Sequence, residues 1–227
     1  GKDPSRVNTA DGYQPPWGNY HGEGGECGVP LYNRFIMPDS GNSVFWYSYD
    51  YASAHTIVIS SEHDLSPSSV QYDWLLKDLQ NVDKVKTPWL IIESHRPLYE
   101  PENIPPERST IEGIRREIEP LMFEFSVDLF LSGHYHSYFR SCKGLYKELC
   151  NNGGPQYITI GTGGATMFFG NETLEDIDFI QNSWKWTEFF TKKFGYGRVT
   201  VANATSLHWE FVSDDGLRVL DNVWLAK

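Results

Sequence analysis

"VDLFLSGHYHSYFR", Val127 to Arg140, joins a short apolar run to two histidines set one residue apart just after a glycine. A run as continuously apolar as Val127–Ser132 reads as a strand covered on both faces, the kind found in parallel sheets. "TPWLIIES", Thr87–Ser94, has the same character and leads directly into His95. Helical patterns alternate with these strands. In "SPSSVQYDWLLKDLQNV", Ser66–Val82, the residues Tyr72, Leu75, Leu76 and Leu79 fall at i, i+3, i+4 and i+7 on one stripe. Ser66 is placed to cap this helix, with Pro67 in its first turn. "STIEGIRREIEPLMFEF", Ser109–Phe125, opens with a Ser109/Glu112 capping box and carries a stripe of Ile111, Ile114, Ile118, Leu121, Met122 and Phe125. Pro120 is expected to kink it or to start a new turn.

Working outward, "SVFWYSYDYA" (Ser43–Ala52) and "HTIVISSE" (His55–Glu62) read as adjacent strands. "YEPENIPPER", Tyr99–Arg108, is an irregular proline-rich loop. "QYITIG", "GYGRVTVAN", "SLHWEFVSD" and "RVLDNVWLAK" are strands, the last two joined by a hairpin at Asp215-Gly216. Trp184, Trp186, Phe189 and Phe190 read as a helix packed on the sheet, or as a rim. Strand–helix–strand units followed by a meander predict an α/β layered fold with mixed β-sheets flanked by helices.

The chain has 227 residues, 40% of them hydrophobic and 15% aromatic, which supports a packed core over disorder. A formal net charge of -11 argues against nucleic acid as a partner, because phosphate backbones call for basic stripes. No apolar stretch approaches the roughly 20 residues of a membrane span. The first 43 residues are largely irregular loop, an unusual way to open a domain, and point to a chain that begins inside a longer protein.

Cys142 and Cys150 flank "KGLYKEL", a separation that suits a disulfide-closed hairpin. Cys27 is then left odd, either a buried thiol or the partner of a cysteine elsewhere. Two sequons, at Asn171 and Asn203, together with the cysteine pair favour an oxidising compartment: secreted, lysosomal or vacuolar.

Ligand sites in open α/β sheets gather outside the carboxyl ends of strands. His95 on one such end and His134 and His136 on another bring three imidazoles to one region if the two strands are parallel neighbours. Neutral imidazole is a common ligand for Zn, Fe and Mn. The residue between His134 and His136 lets the two rings project differently and serve two ions, and Gly133 is expected to supply the sharp turn. His63 in "SSEHD" is a candidate catalytic group that lines the pocket or donates to phosphate, or else a satisfied loop histidine. Arg96 reads as a surface partner of a carboxylate more readily than as a phosphate ligand. Gly161, Gly163 and Gly164 in "GTGGATM" suit a close turn near the site, and His208 a sheet position.

These stretches, in order, resemble the C-terminal section of a purple acid phosphatase, within the calcineurin-like metallophosphoesterases. The similarity is carried by "GGECGVPLYNRFIMP", "SSEHDLSPSSVQYDWLLKDL", "KTPWLIIESHRPLY", "VDLFLSGHYHSYFR", "YITIGTGGATM" and "GYGRVTVANATSLHWEF". The resemblance implies that residues 1–227 are the C-terminal part of one metallophosphoesterase domain, half of a β-sandwich. It implies His95 and His134 as ligands of a divalent metal (Zn, Mn or Fe), His136 as a ligand of ferric iron, and phosphate esters as substrates. The family's three N-terminal motifs, which supply a bridging Asp, a Tyr and an Asn, have no counterpart here. In "WGNYHGEGG", Asn19 and His21 are separated by Tyr20, so the Asn-His motif is not formed. The missing ligands would come from an N-terminal segment of the same protein or from a partner chain. Two other readings stand beside this one: a secreted, catalytically inactive phosphatase-like glycoprotein used for binding or assembly, and a single Zn held by the three histidines.

Overall fold

A computed structural model describes residues 29–102, 105–164 and 184–227. Cys27, Asn19, His21 and the Asn171 sequon lie outside the described residues. A short helix, α1 (Val29–Arg34), precedes an antiparallel pair, β1 (Tyr47–Tyr51) and β2 (Ala54–Ile59). Then come helix α2 (Val70–Asn81), strand β3 (Trp89–Ser94), helix α3 (Pro105–Glu124) and strands β4 (Leu129–Ser132), β5 (Tyr138–Ser141) and β6 (Gln156–Ile160). Strand β7 (Thr187–Thr191) and a meander of β8 (Gly195–Asn203), β9 (Ser206–Ser213) and β10 (Val219–Ala226) finish the chain.

Seven strands form one mixed sheet in the order β1-β2-β3-β4-β6-β5-β7, and the meander forms a second sheet, β10-β9-β8. Strands β2, β3, β4 and β6 are mutually parallel. Their side chains alternate between two cores. Ile57, Leu90, Ile92, Phe130 and Tyr157 meet Leu75 and Leu79 of α2 and Ile114 and Ile118 of α3 on one face. Ala54, Trp89, Ile91, Leu129 and Ile158 meet Leu207, Trp209, Phe211 and Leu225 of the small sheet on the other. Being covered twice is why β3 and β4 are continuously apolar.

Several local expectations are corrected. Helix α2 is capped by Ser69, whose Oγ accepts from Tyr72 N at 3.2 Å. Ser66 is taken up instead by the Asp64 carboxylate, which accepts from its N and Oγ at 2.8 and 2.6 Å and turns the chain one step before the helix. Helix α3 starts at Pro105, so Ser109 and Glu112 lie inside it and Glu112 pairs with Arg108 at 2.8 Å. The helix runs on past Pro120, whose ring is exposed. Residues 187–191 are an edge strand, not a helix: Phe190 packs on the helix side and Phe189 on the sheet side, the period of two of a β-strand. Trp184 and Trp186 lead into it, stacked at 5.4 Å.

Cys142 and Cys150 are joined in a disulfide that closes the turn after β5, a small loop whose closure contributes about 2–3 kcal/mol. Asn203 ends β8 at the exposed hairpin to β9. His208 lies in β9 with its ring stacked on Trp224 at 4.3 Å.

A polar clamp joins the two sheets. Tyr138 Oη donates to Asp221 Oδ2 at 2.7 Å, Arg140 donates to both Asp221 oxygens at 2.7 and 2.9 Å, and Trp209 Nε1 donates to Tyr138 Oη at 2.9 Å. Asp221 is buried, so removing it leaves a largely buried guanidinium without its carboxylate. Asp221→Ala is expected to cost roughly 3–5 kcal/mol of unfolding free energy, measured by denaturant titration. A loss of less than about 1 kcal/mol would show that the sheets do not depend on the clamp.

Candidate metal centre

The parallel strands end level with one another. Ile59 pairs with Ser94, Ser94 with Ser132, and Ser132 with Thr159. The next residues are therefore brought to one edge, and Gly133 N donates to His95 O at 3.0 Å. The turn that follows is made by His134, not by Gly133. His134 has φ 66°, and Tyr135 N donates across it to Gly133 O at 2.8 Å, a γ-turn of the strained positive-φ kind. A Cβ on Gly133 would meet only His95 O, at an ordinary 3.8 Å.

That turn presents the His134 ring to His95. His134 Nδ1 lies 3.1 Å from His95 Nε2, with the ring planes at 80°. Two imidazole nitrogens each about 2.0–2.1 Å from one ion are roughly 3.0–3.4 Å apart, so the pair fits two positions on a single metal. His136 follows buried Tyr135 and is half-buried on the same turn. Among the described residues no three His, Cys, Asp or Glu side chains group closely enough to hold an ion.

Gly161 makes the close approach expected of it: a Cβ there would lie 1.8 Å from Tyr135 O and 3.4 Å from His136 Cα. The end of β6 is thus packed directly against the histidine turn. Gly164 has φ 106°, whereas a Cβ on Gly163 would meet nothing within 4 Å.

Arg96 is buried, which corrects its expected surface position. Its Nε donates to Glu62 Oε1 at 2.7 Å, its Nη2 to Glu62 Oε2 at 3.3 Å, and Nη1 lies 3.2 Å from His134 Nε2. Burial alone would raise the Glu62 carboxyl, but the Arg96 guanidinium outweighs it and holds it below the usual range. Sequence reading passed over Glu62, although its place just after a strand end, level with Arg96, is the signal that finds it. Glu100 was also passed over. It is buried in the loop after β3, and burial, then the neighbouring Glu102, pushes its carboxyl well up.

His63 lies under Phe45 and Trp46, with ring centroids 5.1 and 5.0 Å away and Nδ1 2.7 Å from Ser60 Oγ. Asp128 sits at the far end of β4, where it accepts from Leu90 N at 2.8 Å and pairs with Lys227 at 2.7 Å.

The sequence model of the calcineurin-like phosphoesterases matches residues 5–138. The chain belongs to that family. The C-terminal model of iron/zinc purple acid phosphatase-like proteins matches residues 154–222. Purple acid phosphatase 22 of Arabidopsis thaliana is 34% identical over 85% of this chain and 43% of its own length. Fe(3+)-Zn(2+) purple acid phosphatase 12 of the same plant is 32% identical over 87% and 44%. The solved structure of purple acid phosphatase PPD1 from yellow lupin (Lupinus luteus) superposes with a TM-score of 0.77 at 28% identity, covering 95% of this chain and 39% of its own. The chain spans about half the length of the curated relatives it matches.

Burial pushes the His63 imidazole down from 6.5 to about 4. The folded state resists a proton that the unfolded chain accepts, so stability falls as pH drops below 6.5 and levels off below about 4. At pH 5 the loss amounts to about 2 kcal/mol. In denaturant unfolding at pH 7 and pH 5, His63→Phe should lose less stability than wild type by that amount. Equal losses would show that His63 is not buried in its neutral form.

Proposed function

We propose that this chain supplies the histidine half of a binuclear metal site that hydrolyses phosphate esters, as an acid phosphatase. The observation that carries the reading is the 3.1 Å approach of His95 Nε2 to His134 Nδ1 at the ends of two parallel strands. His95 and His134 would hold a divalent metal (Zn, Mn or Fe), and His136, two residues on from His134, a ferric iron. When bound, such a pair polarises phosphoryl oxygens and supplies activated water for in-line displacement. The chain's own part is to fix the donors. The level strand ends set the spacing, the γ-turn aims His134, and the packing of Gly161 on Tyr135 holds His136 in place.

The remaining ligands would come from an N-terminal section of the same protein or from a partner chain. Support comes from the small sheet, where β8 is an edge strand with Tyr196 47% and Val199 38% exposed. Beside it a groove of about 390 Å³ runs along Glu93, Leu131, Gly133, Ile160 and Val199, next to the histidine edge. Tyr49 and Tyr51, on the edge strand of the large sheet, are 38% and 78% exposed. Among the described residues no strand pairs with the outer edge of β8 or β1, and an edge of that kind beside exposed apolar side chains is what a further sheet-forming section would cover. A secreted, lysosomal or vacuolar location is proposed on the disulfide and the exposed Asn203 sequon.

The test is hydrolysis of p-nitrophenyl phosphate, with metal analysis and intact mass of the same particle. Activity is expected only from particles that contain the additional section, with two metal ions each. His95→Ala and His134→Ala should lower it at least about 100-fold, since even outer-shell partners of metal ligands cost about 10–100-fold. Complete particles that bind no metal and hydrolyse no ester would overturn the reading in favour of a binding or assembly role. Material recovered from a secreting host should lose the mass of a glycan at Asn203 on enzymatic deglycosylation. An unmodified Asn203 in that material would remove the sequon as support for the location.

A further inference from the structure

We infer that Arg96 and a metal ion compete for His134, so that loading the site moves the guanidinium off the imidazole and onto a bound anion; this rests on the reading of His95 and His134 as ligands. A guanidinium has five N–H donors and no acceptor. Arg96 Nη1, 3.2 Å from His134 Nε2, must therefore donate, and Nε2 receives the bond with its lone pair. The single proton of the neutral ring is then on Nδ1, which lies 3.1 Å from His95 Nε2 and donates to it. In the metal-free chain the two nitrogens that face each other are thus a donor and an acceptor.

An ion held by both of those nitrogens needs a lone pair on each. His134 stays neutral by carrying its proton on Nε2 instead of Nδ1, with no net gain or loss. Nε2–H then faces Nη1–H, donor against donor, and the contact breaks. Arg96 does not leave the site, because Glu62 still accepts from Nε and Nη2 and Ser61 Oγ still accepts from the backbone N at 3.1 Å. The guanidinium remains anchored along one edge while Nη1 changes its acceptor. A phosphate oxygen beside the ion is the acceptor that matches it in charge. Arg96 is on this account a positioning residue before metal binds and an anion contact afterwards. Glu62 keeps it in reach throughout.

The probes are Zn²⁺ alone and inorganic phosphate, titrated calorimetrically into the purified chain and into Arg96→Lys and Arg96→Met. Lys keeps the charge but cannot span Glu62 and His134 with one planar fork; Met removes charge and donors together. Both variants are expected to bind Zn²⁺ about tenfold more tightly than wild type, because no hydrogen bond has to be broken first. Phosphate binding to the Zn²⁺-loaded protein is expected to weaken about tenfold in Arg96→Met. Nitrogen-15 correlation spectra of the metal-free proteins should show His134 protonated on Nδ1 in the wild type, where Arg96 occupies Nε2, and no longer held to that tautomer in Arg96→Met, a difference that a merely structural role for Arg96 would not produce. Zn²⁺ affinity in Arg96→Lys equal to or weaker than wild type would overturn the competition, as would an Nε2 proton already present without metal. If neither wild type nor variants bind Zn²⁺, the ligand reading itself falls, and the competition with it.

Discussion

Everything at the candidate site depends on one constraint, the in-register parallel pairing of β2, β3, β4 and β6. Parallel pairing fixes direction, so all four strands deliver their next residues to the same edge. Register fixes height, so His95 and Gly133 arrive side by side and share a hydrogen bond. A slip of one residue would turn every side chain of a strand to the opposite core, a change the two covered faces forbid. The burial of Leu90, Ile92 and Phe130 on one side and of Ile91 and Leu129 on the other therefore holds the spacing of the two imidazoles.

Those apolar strands were the most legible part of the sequence, because a buried strand must be continuously apolar and a following helix must carry a stripe. The histidines were legible for the same reason: they stand at the first positions released from that requirement. What escaped was decided by contacts between distant positions. Ser66 and Ser69 are equivalent as caps until the Asp64 carboxylate claims the first. Glu112 looks like a capping residue until Arg108, one turn earlier, takes its carboxylate. Strand β7 is short and aromatic-rich, and only its pairing with β5 separates it from a helix.

The site shows the same division. Glycine before the histidine pair suggested where the chain turns, yet the left-handed residue is His134 itself. The cost of that backbone is offset by packing just after it, where buried Tyr135 is pressed against Gly161. Glu62 and Arg96 are far apart in the sequence, and nothing local pairs the one with the other. Only adjacency of the β2 and β3 ends makes them a half-buried pair reaching His134. The geometry of the histidine edge is thus built from local strand ends, and the charged pair beside it is brought together by the sheet.

The central claim is that His95 and His134 serve one ion. Zinc K-edge X-ray absorption on the Zn²⁺-loaded protein tests it most directly. The account predicts outer-shell scattering from two imidazoles in the wild type and loss of one ring's contribution in His134→Ala, with the first-shell nitrogens near 2.0–2.1 Å. A zinc spectrum without imidazole scattering, or one that His134→Ala leaves unchanged, would contradict it.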